Sequence, residues 1–72
     1  RCFQCDLTGA DLSGASLKGA NLMFANLKGA NLFEADLGGA NLRDVNLGYA
    51  YLNGAILCNT TMPDGSVIYS GC

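Results

Sequence analysis

From Cys5 onward the chain repeats one five-residue phrase of apolar and polar positions. Leucine stands at Leu7, Leu12, Leu17, Leu22, Leu27, Leu32, Leu37, Leu42, Leu47, Leu52 and Leu57 without a miss. Two positions earlier the residue is Ala in nine of these eleven units, Cys5 and Val45 being the exceptions, and the residue between is Asp or Asn in eight. A strand alternates every two residues and a helix repeats every 3.6, so neither keeps every fifth residue on one side for this long. The Ala and Leu positions, two apart, both face inward on a short extended segment, while the Asp or Asn between them faces out. The second residue after leucine is Gly at Gly9, Gly14, Gly19, Gly29, Gly39 and Gly54, which suits a corner with permissive backbone angles. Each pentad therefore predicts a minimal strand plus a turn. Turns of one hand wind such units into an all-β tube whose coils pair with their neighbours, a solenoid filled by layers of Ala and Leu. The pattern by itself leaves the number of sides open.

Units such as Ala10-Asp11-Leu12-Ser13-Gly14 and Ala20-Asn21-Leu22-Met23-Phe24 resemble the A-(D/N)-L-x-x pattern of the pentapeptide-repeat family over residues 5–59. The resemblance implies a right-handed quadrilateral parallel β-helix with four pentads per coil. The ending Thr61-Met62-Pro63-Asp64-Gly65-Ser66, followed by a cysteine, is similar to C-terminal caps of cyanobacterial and plant chloroplast members. The opening Cys2-x-x-Cys5-Asp6-Leu7 is similar to the lead-in of many cyanobacterial members.

With four sides, positions twenty apart stack. Residues 5–9, 25–29 and 45–49 share a first face; 10–14, 30–34 and 50–54 a second; 15–19, 35–39 and 55–59 a third; and 20–24, 40–44 and 60–64 a fourth, where Met62 takes the leucine's place. The expected organisation is one domain over residues 1–72, with a lead-in at 1–4, three coils at 5–64 and a C-terminal cap at 65–72. Asp64-Gly65 supplies a turn, after which Val67, Ile68 and Tyr69 are expected to fold over the open upper end. At the lower end only Phe3 is at hand to shield Leu7, Leu12, Leu17 and Leu22, so either residues preceding Arg1 or another surface is expected there. An end-to-end contact through this uncapped first coil follows as one expectation.

The four cysteines sharpen the picture of the ends. At a coil spacing of about 4.8 Å the first and third coils lie roughly 10 Å apart, beyond the reach of a disulfide. Cys2 is therefore expected to pair with Cys5, and Cys58 with Cys72. Paired cysteines favour an oxidising compartment, the thylakoid lumen or the periplasm over the cytoplasm.

Charge removes several functions. Four Lys and Arg against six Asp and Glu give a net charge of −2, with no basic patch for nucleic acid or an anionic membrane, and no apolar run of about 18 residues exists for membrane insertion. Without His, with one Glu, and with serines lacking a base in the repeat frame, catalysis is not expected. Glu34 and Asp36 are outward on a convex tube, across a corner that excludes no water. Cys2-x-x-Cys5 lacks the helix N-terminus that activates a redox pair. Zinc would require the two ends to meet, and the Asp/Asn column offers calcium no converging loop, so it reads as solvated or turn-bonding. No cofactor and no metal are expected. Asn59-Thr60-Thr61 matches a short glycosylation pattern that arises by chance.

What stands out is large apolar side chains at outward positions. Phe33 is on the middle coil of the second face, Tyr51 diagonally above it, and Tyr49 at the adjoining corner; diagonal aromatics on a sheet can touch. Met23 and Phe24 form a smaller patch on the fourth face beneath Arg43 and Asp44. Exposed aromatic clusters mark partner surfaces, or else each ring merely covers backbone. The expected function is a non-catalytic protein-interaction or scaffold module with an unknown protein partner. Two alternatives stand beside it. One is a DNA-mimicking modulator of DNA gyrase like the quinolone-resistance members, from which this chain departs in its shortness and in the Lys18, Lys28 and Arg43 interspersed among its carboxylates. The other is a structural spacer of a larger protein.

Overall fold

The structure, a computed structural model, describes residues 4–72. Parallel bridges join residues twenty apart on every side: Asp6 to Asn26 to Asn46, Asp11 to Asn31 to Tyr51, Ser16 to Asp36 to Ile56, and Asn21 to Asn41 to Thr61. Twenty residues thus make one coil of four sides, and three stacked layers are visible on each side.

The backbone bonds of a middle-coil unit explain why five residues suffice. Asn31 N–H donates down to Ala10 O, Leu32 N–H and Glu34 N–H donate up to Tyr51 O and Asn53 O, and Ala35 N–H closes its own turn on Leu32 O. The fifth donor, Phe33 N–H, goes to Oδ1 of Asn31 at 3.0 Å. No donor of the unit is left without an acceptor, which a buried wall requires. The Asp/Asn column therefore bonds its own turn, an Asx arrangement. The same bond recurs from Asp6, Asp11, Asn21, Asn26, Asp36, Asn41 and Asn46.

The corner residue, second after each leucine, is left-handed throughout. Gly14 has φ +68°, but so do the non-glycines closely: Phe24 at 63°, Glu34 at 55°, Asp44 at 60° and Tyr49 at 58°. With the preceding residue at negative φ and the N–H three residues on donating to the leucine O, these corners have the pattern of type II turns. Glycine suits this corner, yet the coil imposes the corner even where a side chain must bear left-handed strain, about 1–2 kcal/mol per residue.

Burial is concentrated in the middle coil. Leu27, Leu32, Leu37 and Leu42 are fully buried with Ala25, Ala30, Ala35 and Ala40, whereas Leu7, Leu12, Leu17, Leu47, Leu52, Leu57 and Met62 are partly buried and pack against that core. Thr60 occupies an alanine position, fully buried, with its hydroxyl donating to Leu37 O at 2.7 Å.

The C-terminal segment corrects one expectation. Met62, Pro63, Asp64 and Gly65 make a tight turn, Gly65 N–H donating to Met62 O and Met62 N–H to Ser66 O. Strand β1 (Leu57–Thr61) then pairs antiparallel with β2 (Val67–Ser70) around a bulge between Cys58 and Thr60. β2 thus continues the wall of the last coil edge-on rather than lying across its open end. Val67 and Tyr69 are exposed and only Ile68 is half-buried, because alternate side chains of a strand face opposite ways. Cys58 and Cys72 form a disulfide with Cα atoms 5.0 Å apart. Cys2 and Phe3, hence the Cys2–Cys5 pairing and the shielding of the first coil by Phe3, lie outside the described residues.

Candidate functional site

The second face carries two turn-bonding residues and one aromatic in one outward column, Asp11, Asn31 and Tyr51, locked in line by the parallel bridges. Asp11 and Asn31 accept the N–H of Ser13 and Phe33. Tyr51 cannot, so at the top of the column a ring replaces a turn-bonding carbonyl. That ring lies against Phe33, with centroids 6.0 Å apart and planes inclined by 21°. The diagonal placement inferred from the repeat thus brings the two rings into a stacked pair, a geometry within the preferred range for aromatic side chains. Both remain exposed, Phe33 at 37% and Tyr51 at 52%.

Tyr49 stands apart. It is 90% exposed and projects from a left-handed corner, so it flanks the pair without stacking on it. Met23 and Phe24 sit directly below Arg43 and Asp44, with Phe24 N–H donating to Arg43 O. Met23 is half-buried and Phe24 exposed, and Arg43 faces Asp44 at 4.0 Å.

The charged residues of the second face itself are of one sign, Asp11 and Glu34. Glu34 follows Phe33 at the corner, its stem under Gly54, where an added Cβ would meet Glu34 Cγ at 3.0 Å. Asp11 lies lower on the same face, and its carboxyl is held below the usual carboxylate value by the Ser13 hydroxyl and then the Ser13 N–H. Among the described residues no group of His, Cys, Asp and Glu is placed to hold a metal ion. A separate open groove of about 470 Å³ runs along the third face between Lys18, Gly38, Asn59 and the Cys58–Cys72 bridge, where Gly38 and Gly39 supply no side chain. Repeat reasoning did not find this groove, because it depends on where the C-terminal segment returns.

The family model for pentapeptide repeats, in eight copies, matches residues 1–39 and 40–64. The chain belongs to the pentapeptide-repeat family. Its architecture is accordingly the right-handed quadrilateral β-helix. The crystal structure of Rfr23, a pentapeptide-repeat protein of the cyanobacterium Cyanothece 51142, is 46% identical over 90% of this chain and 40% of that one, with a TM-score of 0.70. HetL of Nostoc sp. strain PCC 7120, a pentapeptide-repeat protein involved in regulating heterocyst differentiation, is 34% identical over 90% of this chain and 41% of its own, with a TM-score of 0.33. The pentapeptide-repeat protein alr5209 of Nostoc PCC 7120 is 28% identical over 97% and 74%, with a TM-score of 0.46. The chain thus spans about two-fifths of the length of Rfr23 and of HetL. No curated protein matches it significantly.

Proposed function

We propose that this pentapeptide-repeat module is a non-catalytic interaction element that presents its second face to a protein partner. The observation that carries the reading is the exposed Phe33–Tyr51 stack. A ring at position 51 displaces the Asx acceptor that Asp11 and Asn31 provide below it. The turn at position 51 therefore gives up its own acceptor where an aromatic stands. Two rigid rings on a wall that scarcely deforms lose little conformational freedom on binding, the property that favours aromatic anchors at interfaces.

A photo-crosslinking side chain introduced at position 51, compared with one at position 8 on the first face, tests this in extract of the source organism. Adducts specific to position 51 are expected. Against the partner so captured, the triple variant Phe33→Ser, Tyr49→Asn, Tyr51→Asn should bind at least about tenfold more weakly, as loss of anchor residues does. Unchanged affinity would remove this patch as the interface.

A further inference from the structure

The four walls of the tube differ in their charge balance. On the first face Lys28 offsets Asp6, and its stem lies along that face, 3.8 Å from where a Cβ on Gly48 would be. Lys18 offsets Asp36 on the third face and likewise runs up its own wall, 4.0 Å from the position of a Cβ on Gly38. Arg43 stands among Asp44 and the Asp64 turn on the fourth face, 4.0 Å from Asp44 and beside Gly65. The second face, residues 10–14, 30–34 and 50–54, has Asp11 and Glu34 and no Lys or Arg at all.

We infer that the partner segment received by the second face is basic, an extended stretch bearing arginine. The inference rests on the interaction reading above and adds the chemistry of the occupant. A guanidinium is attracted to the face of Tyr or Phe within about 6 Å of the ring, and its planar fork matches a carboxylate. Phe33 and Glu34 are consecutive on the middle coil, and Tyr51 stacks on Phe33 from the coil above. A ring pair and a carboxylate therefore follow one another along the same coil, the Glu34 stem running under Gly54. Asp11 lies two coil spacings below Tyr51 in the same column, roughly 10 Å away, so a second cation of an extended segment finds a carboxylate without leaving the face. An acidic segment would meet two like charges on this face and no counter-charge, which disfavours it.

The test is a titration of the isotopically labelled protein with a peptide alternating arginine and glycine, followed through amide chemical shifts. A twin peptide with citrulline for arginine and a third with leucine serve as neutral probes. Saturable shifts centred on residues 31–34 and 51–54 are expected for the arginine peptide. They should weaken at least fivefold in E34Q and again in the double variant Phe33→Ser, Tyr51→Asn, with the citrulline twin at least tenfold weaker. Shifts spread equally over Asp6, Asp36 and Asp64 would overturn the inference, as would affinity unaltered in E34Q or no saturation by the arginine peptide. Saturation of the same amides by the leucine peptide alone would also overturn it, while leaving the second face standing as an interface. Far-UV circular dichroism of each variant verifies that the coil is intact, and E34Q, which keeps the corner stem, guards against a folding defect in the aromatic pair.

Discussion

At Asp11 one carboxylate oxygen does two things: it accepts the Ser13 N–H at 3.1 Å and the Ser13 hydroxyl at 2.8 Å. Asp6 with Thr8 and Asp64 with Ser66 repeat the pair of bonds. In all three the hydroxyl is the larger influence and the N–H the next, and together they hold the carboxyl below its usual value. A carboxyl whose folded value is depressed contributes stability that is present above its unfolded value and lost as pH falls through the folded one. The melting temperature should therefore fall as the solution is acidified below about pH 4. The triple variant Asp6→Asn, Asp11→Asn, Asp64→Asn should show a shallower fall, because an amide keeps the backbone bond, as Asn26 and Asn46 demonstrate, but cannot titrate. Thermal melts from pH 2 to 7 decide this; parallel curves for the two proteins would dismiss the carboxyls as the cause.

At the scale of elements, β1 and β2 behave differently from the coils they follow. β1 is held on both edges, since Gly39 N–H and Leu42 N–H donate to Cys58 O and Thr61 O from below while β2 pairs from the other side. β2 is held by β1 and by the Cys58–Cys72 bridge, whose partners are 14 residues apart. Closing a loop of that length in the unfolded chain is worth about 3 kcal/mol in the chain-entropy account. The double variant Cys58→Ala, Cys72→Ala should lose roughly that amount in urea denaturation, with amide exchange accelerated first at Ile68 and Ser70 and unchanged in the middle coil. The pentad period made the coil legible because every middle-coil unit repeats the same bonds, three donors to the coils above and below and two within its own turn. The path of residues 65–72 was not legible in the same way: Val67, Ile68 and Tyr69 read as an apolar lid, and an apolar run does not say whether it covers an end or extends an edge. The free N–H and C=O groups of the last coil decided for the edge.

For the whole molecule the consequence of stacking is that, among the described residues, the central layer alone has neighbours above and below on all four sides. Leu32 is completely buried, while Leu12 and Leu52, below and above it in the same column, are partly exposed. Leu32→Ala should cost about 3 kcal/mol and Leu12→Ala about half of that, since the smaller loss is of apolar area and the larger adds a cavity. Equal shifts of the urea midpoint would show that a surface covers the first coil. Function belongs to the same scale. Phe33 and Tyr51 are eighteen residues apart in the chain, and their adjacency was readable only once four sides of five residues were assumed. The bare charge of the second face was readable too, as a list of residues, but the lysine stems lying along their own walls were not.

The sequence by itself determined the inside: Leu and Ala at fixed spacing, an Asx acceptor for the one N–H that the coils and the turn leave over, and hence a stack of identical units that pair with one another. Tertiary structure decided the ends and the outside. It bent non-glycine corners such as Glu34 and Tyr49 into left-handed geometry, placed β2 along β1, and brought Tyr51 onto Phe33. The reason is physical: a period fixes what each residue does relative to its own turn, whereas contacts across layers and at a terminus depend on groups that no repeat supplies.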